Sequence, residues 1–356
     1  MKKVRYALIG FGGIAENRIA KEGFGCDRTR FAPLRHAELV GATDLNPARR
    51  AAAEALGLKW FASIAEALAS PDIDAVFVAT NNRSHAELAA AALDAGKAVI
   101  VEKPLAANSE DAAGLVRLAA AKKLPLSVDH MMVYNAYNRL ARELIARGEL
   151  GTVNDGCFHM EFAYGYDPAE AATWRCSRPD EMGGPIGDVA SHCFYMAEYL
   201  FNSTVTGLAA VYLPKLMPTA VEDGAYIKFQ LADGRRVSAK VAFSELRGGL
   251  GGTLSNLGYE IYGDRAVLRG YGTLFQLSGH PGEPLKVRLE LDRFSSQEYP
   301  EPAEFPNIYQ GVIEHHAQAC LEKRPLNAED GLRNVRLCEL AHRSACEGGK
   351  FLEVQG

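Results

Sequence analysis

Tyr6-Ala7-Leu8-Ile9-Gly10-Phe11-Gly12-Gly13-Ile14-Ala15 is the stretch on which the fold turns. Its four opening apolar residues read as a short buried strand, and Glu16 onward continues as helix. The turn between them has the spacing G-x-G-x-x-A. Gly10 allows the tight turn, Gly12 lets the backbone approach a pyrophosphate, and Ala15 permits the helix to pack closely on the strand. Phe11, Gly13 and Ile14 complete the loop, whose helix-start amides are placed to take the diphosphate. Such a match is weak by itself. A strand before it and a helix after it supply the context that a dinucleotide-binding loop requires.

Working outward, residues 38–43 form a second strand that ends at Asp44. A carboxylate there accepts both adenosine ribose hydroxyls and repels a 2′-phosphate, which favours NAD over NADP; Arg49 and Arg50 keep NADP open. The separation from Ala15 to Asp44 exceeds the usual ~20 residues. The surplus is a polar, glycine-bearing insertion at 21–30, read as a surface loop, a lid or a subunit contact. Asn46-Pro47 starts the next helix with a cap and a proline at its first position. Ala75-Val76-Phe77-Val78-Ala79 is a further buried strand, and Thr80, Asn81, Asn82 and His85 at its edge are expected to contact the nicotinamide half of the cofactor.

Ala98-Val99-Ile100-Val101-Glu102-Lys103-Pro104 then repeats the pattern with a charged end. Proline cannot donate to a ladder and disfavours helix before it, so the chain must leave the sheet there. Glu102 and Lys103 thus stand at the C-terminal end of a core strand, where open α/β sheets bind ligands. The plain alternative is a surface ion pair at a strand end. Strands and helices alternating up to residue 126 describe a doubly wound parallel sheet, a domain at 1–126.

The rest, 127–356, follows a different rhythm. Alternating strands at 225–231 and 236–243 meet through the hairpin signal Asp233-Gly234, further strands fall at 260–262, 266–268 and 286–291, and helices return at 310–321 and 331–347. This is an α+β domain with a large, mainly antiparallel, open-faced sheet. Within it, Gly183-Gly184-Pro185-Ile186-Gly187-Asp188-Val189-Ala190-Ser191-His192 sets Asp188 and His192 four apart, on one face of a helix. A capping aspartate with a satisfied core histidine explains that pair equally well.

Composition narrows the function. At 356 residues the chain is long enough for two domains, and 48% hydrophobic with 23% charged residues is ordinary for a globular protein. A net charge of −5 leaves no footprint for nucleic acid or an acidic membrane. No apolar run approaches spanning length, and Met1-Lys2-Lys3-Val4-Arg5 enters a strand without an apolar leader. Seven scattered cysteines without a CxxC pair read as reduced thiols of a cytoplasmic protein. His315, His316 and Cys320 have the spacing of a metal trio, but helix-surface or interface histidines are the preferred reading and no metal is expected. Tyr309 is read as a substrate contact or an interface aromatic, and the glycine-rich run 247–253 as a connection in the sheet domain.

Taken together, Gly10-x-Gly12-x-x-Ala15, Thr80-x-Asn82 with His85, Glu102-Lys103-Pro104 and Gly183-Gly184-x-x-x-Asp188-x-x-x-His192 resemble the Gfo/Idh/MocA oxidoreductases. The likeness extends to Trp174-Arg175 and to Ser344-Ala345-x-x-Gly348-Gly349-Lys350. It implies a Rossmann domain, an open-faced sheet domain, dimers or tetramers, and the catalytic set Lys103, Asp188 and His192. Departures bear on substrate: Asn81 stands where proline is frequent, Met182, Pro185 and Ala190 alter the glycine run, Val133 lies near a usual arginine, and Asp129 and His130 are unusual.

The chemistry expected is hydride transfer between NAD, or NADP, and a secondary hydroxyl of a sugar, sugar derivative or cyclitol. His192 serves as acid/base and Lys103 stabilises alkoxide charge. Asp188 orients Lys103 or binds a neighbouring hydroxyl, and His130, Trp174 and Arg175 join these three in contacting substrate. Trp174 is equally well read as core packing. The alternatives are an NAD-retaining glycoside hydrolase of the same fold and a non-catalytic dinucleotide-binding regulator.

Overall fold

The computed structural model describes residues 2–245, 256–280, 282–283 and 286–354; the run 247–253 lies outside them. One compact unit comprises Met1–Met131 with Asn307–Val335, and a second comprises Met132–Pro306 with Arg336–Gly356.

The first unit is built on six parallel strands: β1 (Val4–Ile9), β2 (Ala37–Thr43), β3 (Lys59–Trp60), β4 (Ala75–Val78), β5 (Ala98–Val101) and β6 (Leu126–Val128). Their order is β3-β2-β1-β4-β5-β6, so the chain reverses its winding between β1 and β4, and the crevice beyond those strand ends is where such sheets bind ligands. Every residue of β4 and β5 is buried, which explains why both read as unbroken apolar runs rather than alternating ones.

The expected split at 126/127 is revised, because Asn307–Val335 returns to this unit. Leu126 N–H donates to Leu326 O at 2.9 Å, and the Tyr6 hydroxyl lies 2.7 Å from His316 Nδ1 on the helix Ile308–Glu322. These pairings join residues 200 and 310 positions apart, beyond the reach of any local pattern. The insertion at 21–30 is also anchored rather than loose. It begins within a π-helical segment, Ala15–Gly23, and Phe24 is buried with its ring centroid 5.2 Å from that of Tyr6. Gln310 Nε2 donates to Ala32 O at 2.9 Å just beyond it.

Among the described residues of the second unit, nine strands form one sheet: β7 (Val153–Glu161), β8 (Val205–Tyr212), β9 (Gly224–Leu231), β10 (Arg236–Ala242), β11 (Leu257–Gly263), β12 (Val267–Tyr271), β13 (Arg288–Arg293), β14 (Ser296–Glu298) and β15 (Leu352–Glu353). Only β7 and β10 run parallel; the other neighbours are antiparallel. Asp233-Gly234 does turn the β9–β10 hairpin, with Gly234 at φ +87° and Leu231 N–H on Arg235 O at 2.9 Å. β8 went unanticipated because its Gly207, Ala209 and Ala210 dilute the β-branched signal. Along β9, Ala225, Ile227 and Phe229 are buried while Tyr226, Lys228 and Gln230 are exposed. Phe229 meets Phe194 of the helix Ser191–Phe201 edge-on at 5.5 Å, so the helices cover the first of these faces. No described helix is long and apolar enough to cross a membrane.

Candidate active site

Gly10 ends β1 at φ +86°, and a Cβ there would sit 2.7 Å from Ala79 O; both facts demand glycine. Gly12 and Gly13 are exposed, and a Cβ on either would meet nothing within 4 Å. Ala15 is buried, as close helix–strand packing requires. Phe11, by contrast, is fully buried as a side chain and offers only its backbone, while Ile14 is partly buried.

Asp44, one residue past β2, accepts from Phe11 N–H at 2.5 Å and from Asn46 N–H at 2.7 Å through different oxygens. Each carboxylate oxygen has a second lone pair for a ribose hydroxyl. Open glycines beside an anchored carboxylate fit an adenine dinucleotide. Arg49 is already engaged: its Nε donates to Phe11 O at 2.6 Å, its Nη2 pairs with Glu16, and its guanidinium lies 5.8 Å from the Phe11 ring centroid. Arg50 pairs with Glu54 at 2.8 Å.

At the β4 edge, Ser84 Oγ lies 2.7 Å from both Thr80 Oγ1 and Asn81 Oδ1 and ties that corner together. Asn81 is the N-cap residue of the helix Asn82–Asp94, and Asn82 is buried. His85 departs from its expected role as a cofactor contact. It is 1% exposed, with Nδ1 2.7 Å from Pro104 O and Nε2 3.3 Å from Thr80 O, and burial lowers its pKa despite those bonds. It therefore staples the β4 edge to the residue after Lys103. Glu102 N–H donates to Val78 O at 2.8 Å, the last sheet bond before Lys103 and a cis Lys103–Pro104 peptide. His130, expected as a substrate contact, is buried with Nδ1 3.0 Å from Asp330 Oδ2. Tyr309 is fully buried. His316 is a core residue too, and burial depresses its pKa to about 4. The described residues contain no group of three His, Cys, Asp or Glu side chains set to hold a metal ion.

In the second unit the glycine run allows close approach before the Asp188–His192 pair. Gly184 has φ +87°, and a Cβ there would fall 2.4 Å from the Glu222 carboxylate. Glu222 Oε1 accepts Ile186 N–H at 2.8 Å, satisfying a donor at the start of the following turn. That turn, Ile186–Ala190, is π-helical and passes directly into the α-helix Ser191–Phe201. The i, i+4 spacing predicts one helical face, and the turn that carries Asp188 into this helix is of the wider π form common at functional sites.

Asp188 is buried and accepts Arg175 Nε at 3.2 Å, and the Arg175 guanidinium lies over the Trp174 ring at 4.6 Å. Arg175 thus holds Asp188 rather than standing as an independent fork. His192 is buried with Nδ1 2.7 Å from the Tyr195 hydroxyl, the rings meeting edge-on at 5.4 Å. Tyr195 and Glu222 were not found by sequence reading. For Tyr195 a signal existed, a hydroxyl one helical turn after the histidine; for Glu222, 36 residues from its partner, there was none.

A model of the oxidoreductase family with an NAD-binding Rossmann fold matches residues 4–130, and a model of the GFO/IDH/MocA C-terminal domain matches 138–269. The chain is 31% identical over 220 residues to 1,5-anhydro-D-fructose reductase from Ensifer adhaerens, covering 61% of this chain and 63% of that one. It is 37% identical over 151 residues to inositol 2-dehydrogenase 3 from Saccharopolyspora erythraea, covering 42% of each. Both matches span less than two thirds of the relative's own length. In fold it resembles the aldose-aldose oxidoreductase of Caulobacter crescentus, with a TM-score of 0.84 at 21% identity over 99% of both chains. On the two family models, which follow each other along most of its length, the chain belongs to the Gfo/Idh/MocA oxidoreductase family.

Proposed function

We propose that this protein is an NAD-dependent dehydrogenase acting on a secondary hydroxyl of a sugar, sugar derivative or cyclitol. The observation that carries this reading is His192, fixed through Nδ1 by Tyr195 beside a glycine-walled turn bearing Asp188. With Nδ1–H donated to the phenol oxygen, Nε2 is the basic nitrogen and takes the hydroxyl proton during oxidation. Lys103 donates to the same oxygen and stabilises its developing charge. Asp188, steadied by Arg175, accepts from a neighbouring hydroxyl, and Trp174 presents an apolar face to the ring. Bound NAD supplies the hydride acceptor. The loop from Gly10 to Ala15 holds the diphosphate, Asp44 the adenosine ribose, and the corner of Thr80 and Asn81 the nicotinamide ribose. Engagement of Arg49 with Phe11 and Glu16 supports NAD over NADP.

The sheet face that carries exposed Tyr226, Tyr262 and Val211 supports a homodimer or homotetramer assembled through it, and free thiols at all seven cysteines support a reducing, cytoplasmic setting. A monomer mass by light scattering at micromolar concentration would contradict the assembly.

Reduction of NAD⁺ and NADP⁺ by myo-inositol, D-glucose and D-xylose, with 1,5-anhydro-D-fructose and NADH in the reverse direction, tests the activity. At least one pair should turn over with higher kcat/KM for the NAD form, and Asp44→Ala should narrow that margin. Cleavage of a glycoside without net NADH would replace the dehydrogenase by a hydrolase that retains its cofactor.

A further inference from the structure

The turn that carries Asp188 is gripped from outside the helix it leads into. Every residue from Glu181 to Ala197 is buried, and Ile186–Ala190 takes the rare π form. The Ile186 peptide is held on both sides: its N–H donates to Glu222 Oε1 at 2.8 Å, and its carbonyl accepts the Cys338 thiol at 3.7 Å. Pro185 before it has no N–H, so the Glu222 bond meets a donor at the very start of the turn. Glu222 is fixed in its turn by its neighbour. Asp223 is buried, with one oxygen on Lys215 Nζ at 2.6 Å and the other accepting the Leu216 and Met217 N–H groups. Ala220 N–H donates to Cys176 O at 3.0 Å and ties the same loop to the segment of Trp174 and Arg175. Gly184 completes the arrangement, since a Cβ there would strike the Glu222 carboxylate.

We propose that Glu222 is a positioning residue for Asp188 and His192: by fixing the Ile186 peptide it keeps the turn wide and so sets where the aspartate stands relative to the histidine. Single π turns are uncommon, and they persist mostly where function keeps them. Without an acceptor at Ile186, the segment is free to close into α-helical register with Ser191–Phe201, which shifts Asp188 against His192. A misplacement of about 1 Å at a catalytic group costs about 10²-fold in rate. What Glu222 supplies is an acceptor oxygen at the right reach. Its charge strengthens that bond but does not define it.

The inference rests on the proposed roles of Asp188 and His192, so its test includes an arm that does not. Glu222→Gln keeps an acceptor oxygen at the same reach and removes the charge, whereas Glu222→Asp keeps the charge and draws the oxygens back by one methylene. On the best substrate of the panel, Glu222→Gln should hold kcat within about threefold of wild type. Glu222→Asp and Glu222→Ala should lower kcat per folded molecule about 10–100-fold, with NAD⁺ affinity unchanged. A purely structural bond predicts the reverse, a lower unfolding midpoint with kcat per folded molecule intact. The independent arm is amide exchange across 184–192 in the enzyme without substrate. Exchange should be slow in the wild type and in Glu222→Gln, and at least about tenfold faster in Glu222→Asp and Glu222→Ala, as the turn opens locally. The two conservative variants carry the test even if Glu222→Ala does not fold. A Glu222→Asp enzyme faster than Glu222→Gln, near wild-type kcat in both Glu222→Asp and Glu222→Ala, or exchange in the turn untouched by Glu222→Asp would each overturn the proposal. His192→Ala run in parallel separates the two failures. Full turnover in that variant would refute the reading of the site, while the exchange arm still decides whether Glu222 sets the turn.

Discussion

Two buried histidine–tyrosine pairs, both at 2.7 Å, behave differently in this protein. Tyr6 and His316 join β1 to a helix 310 residues away, and the second imidazole nitrogen lies 3.4 Å from Pro125 O. His192 and Tyr195 stand three residues apart on one helix, four residues after Asp188 and next to a glycine run braced by Glu222. The first pair ties distant segments of a core and is closed over by main chain. The second orients a ring locally, where the backbone has been kept slim. Burial and a phenol partner therefore do not identify an acid/base. Its surroundings mark out the proposed one.

The comparison breaks most clearly at the histidines. His192→Ala should lower kcat by roughly 10²–10⁴-fold with little change in unfolding midpoint, the range for loss of an acid/base. His316→Ala should leave kcat near wild type and cost about 2–5 kcal/mol, because it opens a cavity and strands the Tyr6 hydroxyl. Kinetics and chemical unfolding on both variants decide the matter, and reversed effects would exchange the two roles.

Tyr195→Phe sharpens the contrast. It removes one hydrogen bond from a ring that must be held in a single tautomer, and kcat should fall about 10–100-fold, the equivalent of ~1–3 kcal/mol. KM should barely move, and the pH–rate profile should shift, since the partner that fixes Nδ1 is gone. An unchanged profile would reduce the pair to packing.

A smaller effect comes from pH. His316 has a folded pKa of about 4 against 6.5 for the free side chain, so the unfolded chain takes its proton first as pH falls. Stability from this group is complete above pH 6.5 and is lost between 6.5 and about 4, by about 3 kcal/mol. His316→Gln should flatten that acid slope in denaturant titrations. A slope unaltered by the substitution would place the acid sensitivity elsewhere.

What could be read from the residues alone follows the range of the forces involved. The parallel sheet, the turn at Gly10 and the hairpin at Gly234 were legible because strand burial and positive φ leave local marks. The positions of Lys103, Asp188 and His192 were legible as spacing at element ends. Where the nitrogens of His85 and His130 point was not, because Pro104 and Asp330 reach them through the fold rather than along the chain. The pairing of Arg175 with Asp188 and the brace from Glu222 stayed hidden for the same reason. So did the return of Asn307–Val335 to the first unit.

The central claim is that Lys103 and His192 act on one reacting hydroxyl, and a double-mutant cycle tests it most directly. Lys103→Met should lower kcat about 10²–10³-fold, as loss of an electrostatic donor does, with NAD⁺ affinity preserved by the Gly10 loop and Asp44. The double variant with His192→Ala should lose far less than the product of the single losses, since groups serving one transition state are not additive. Losses that multiplied, or near wild-type turnover in either single variant, would contradict the account.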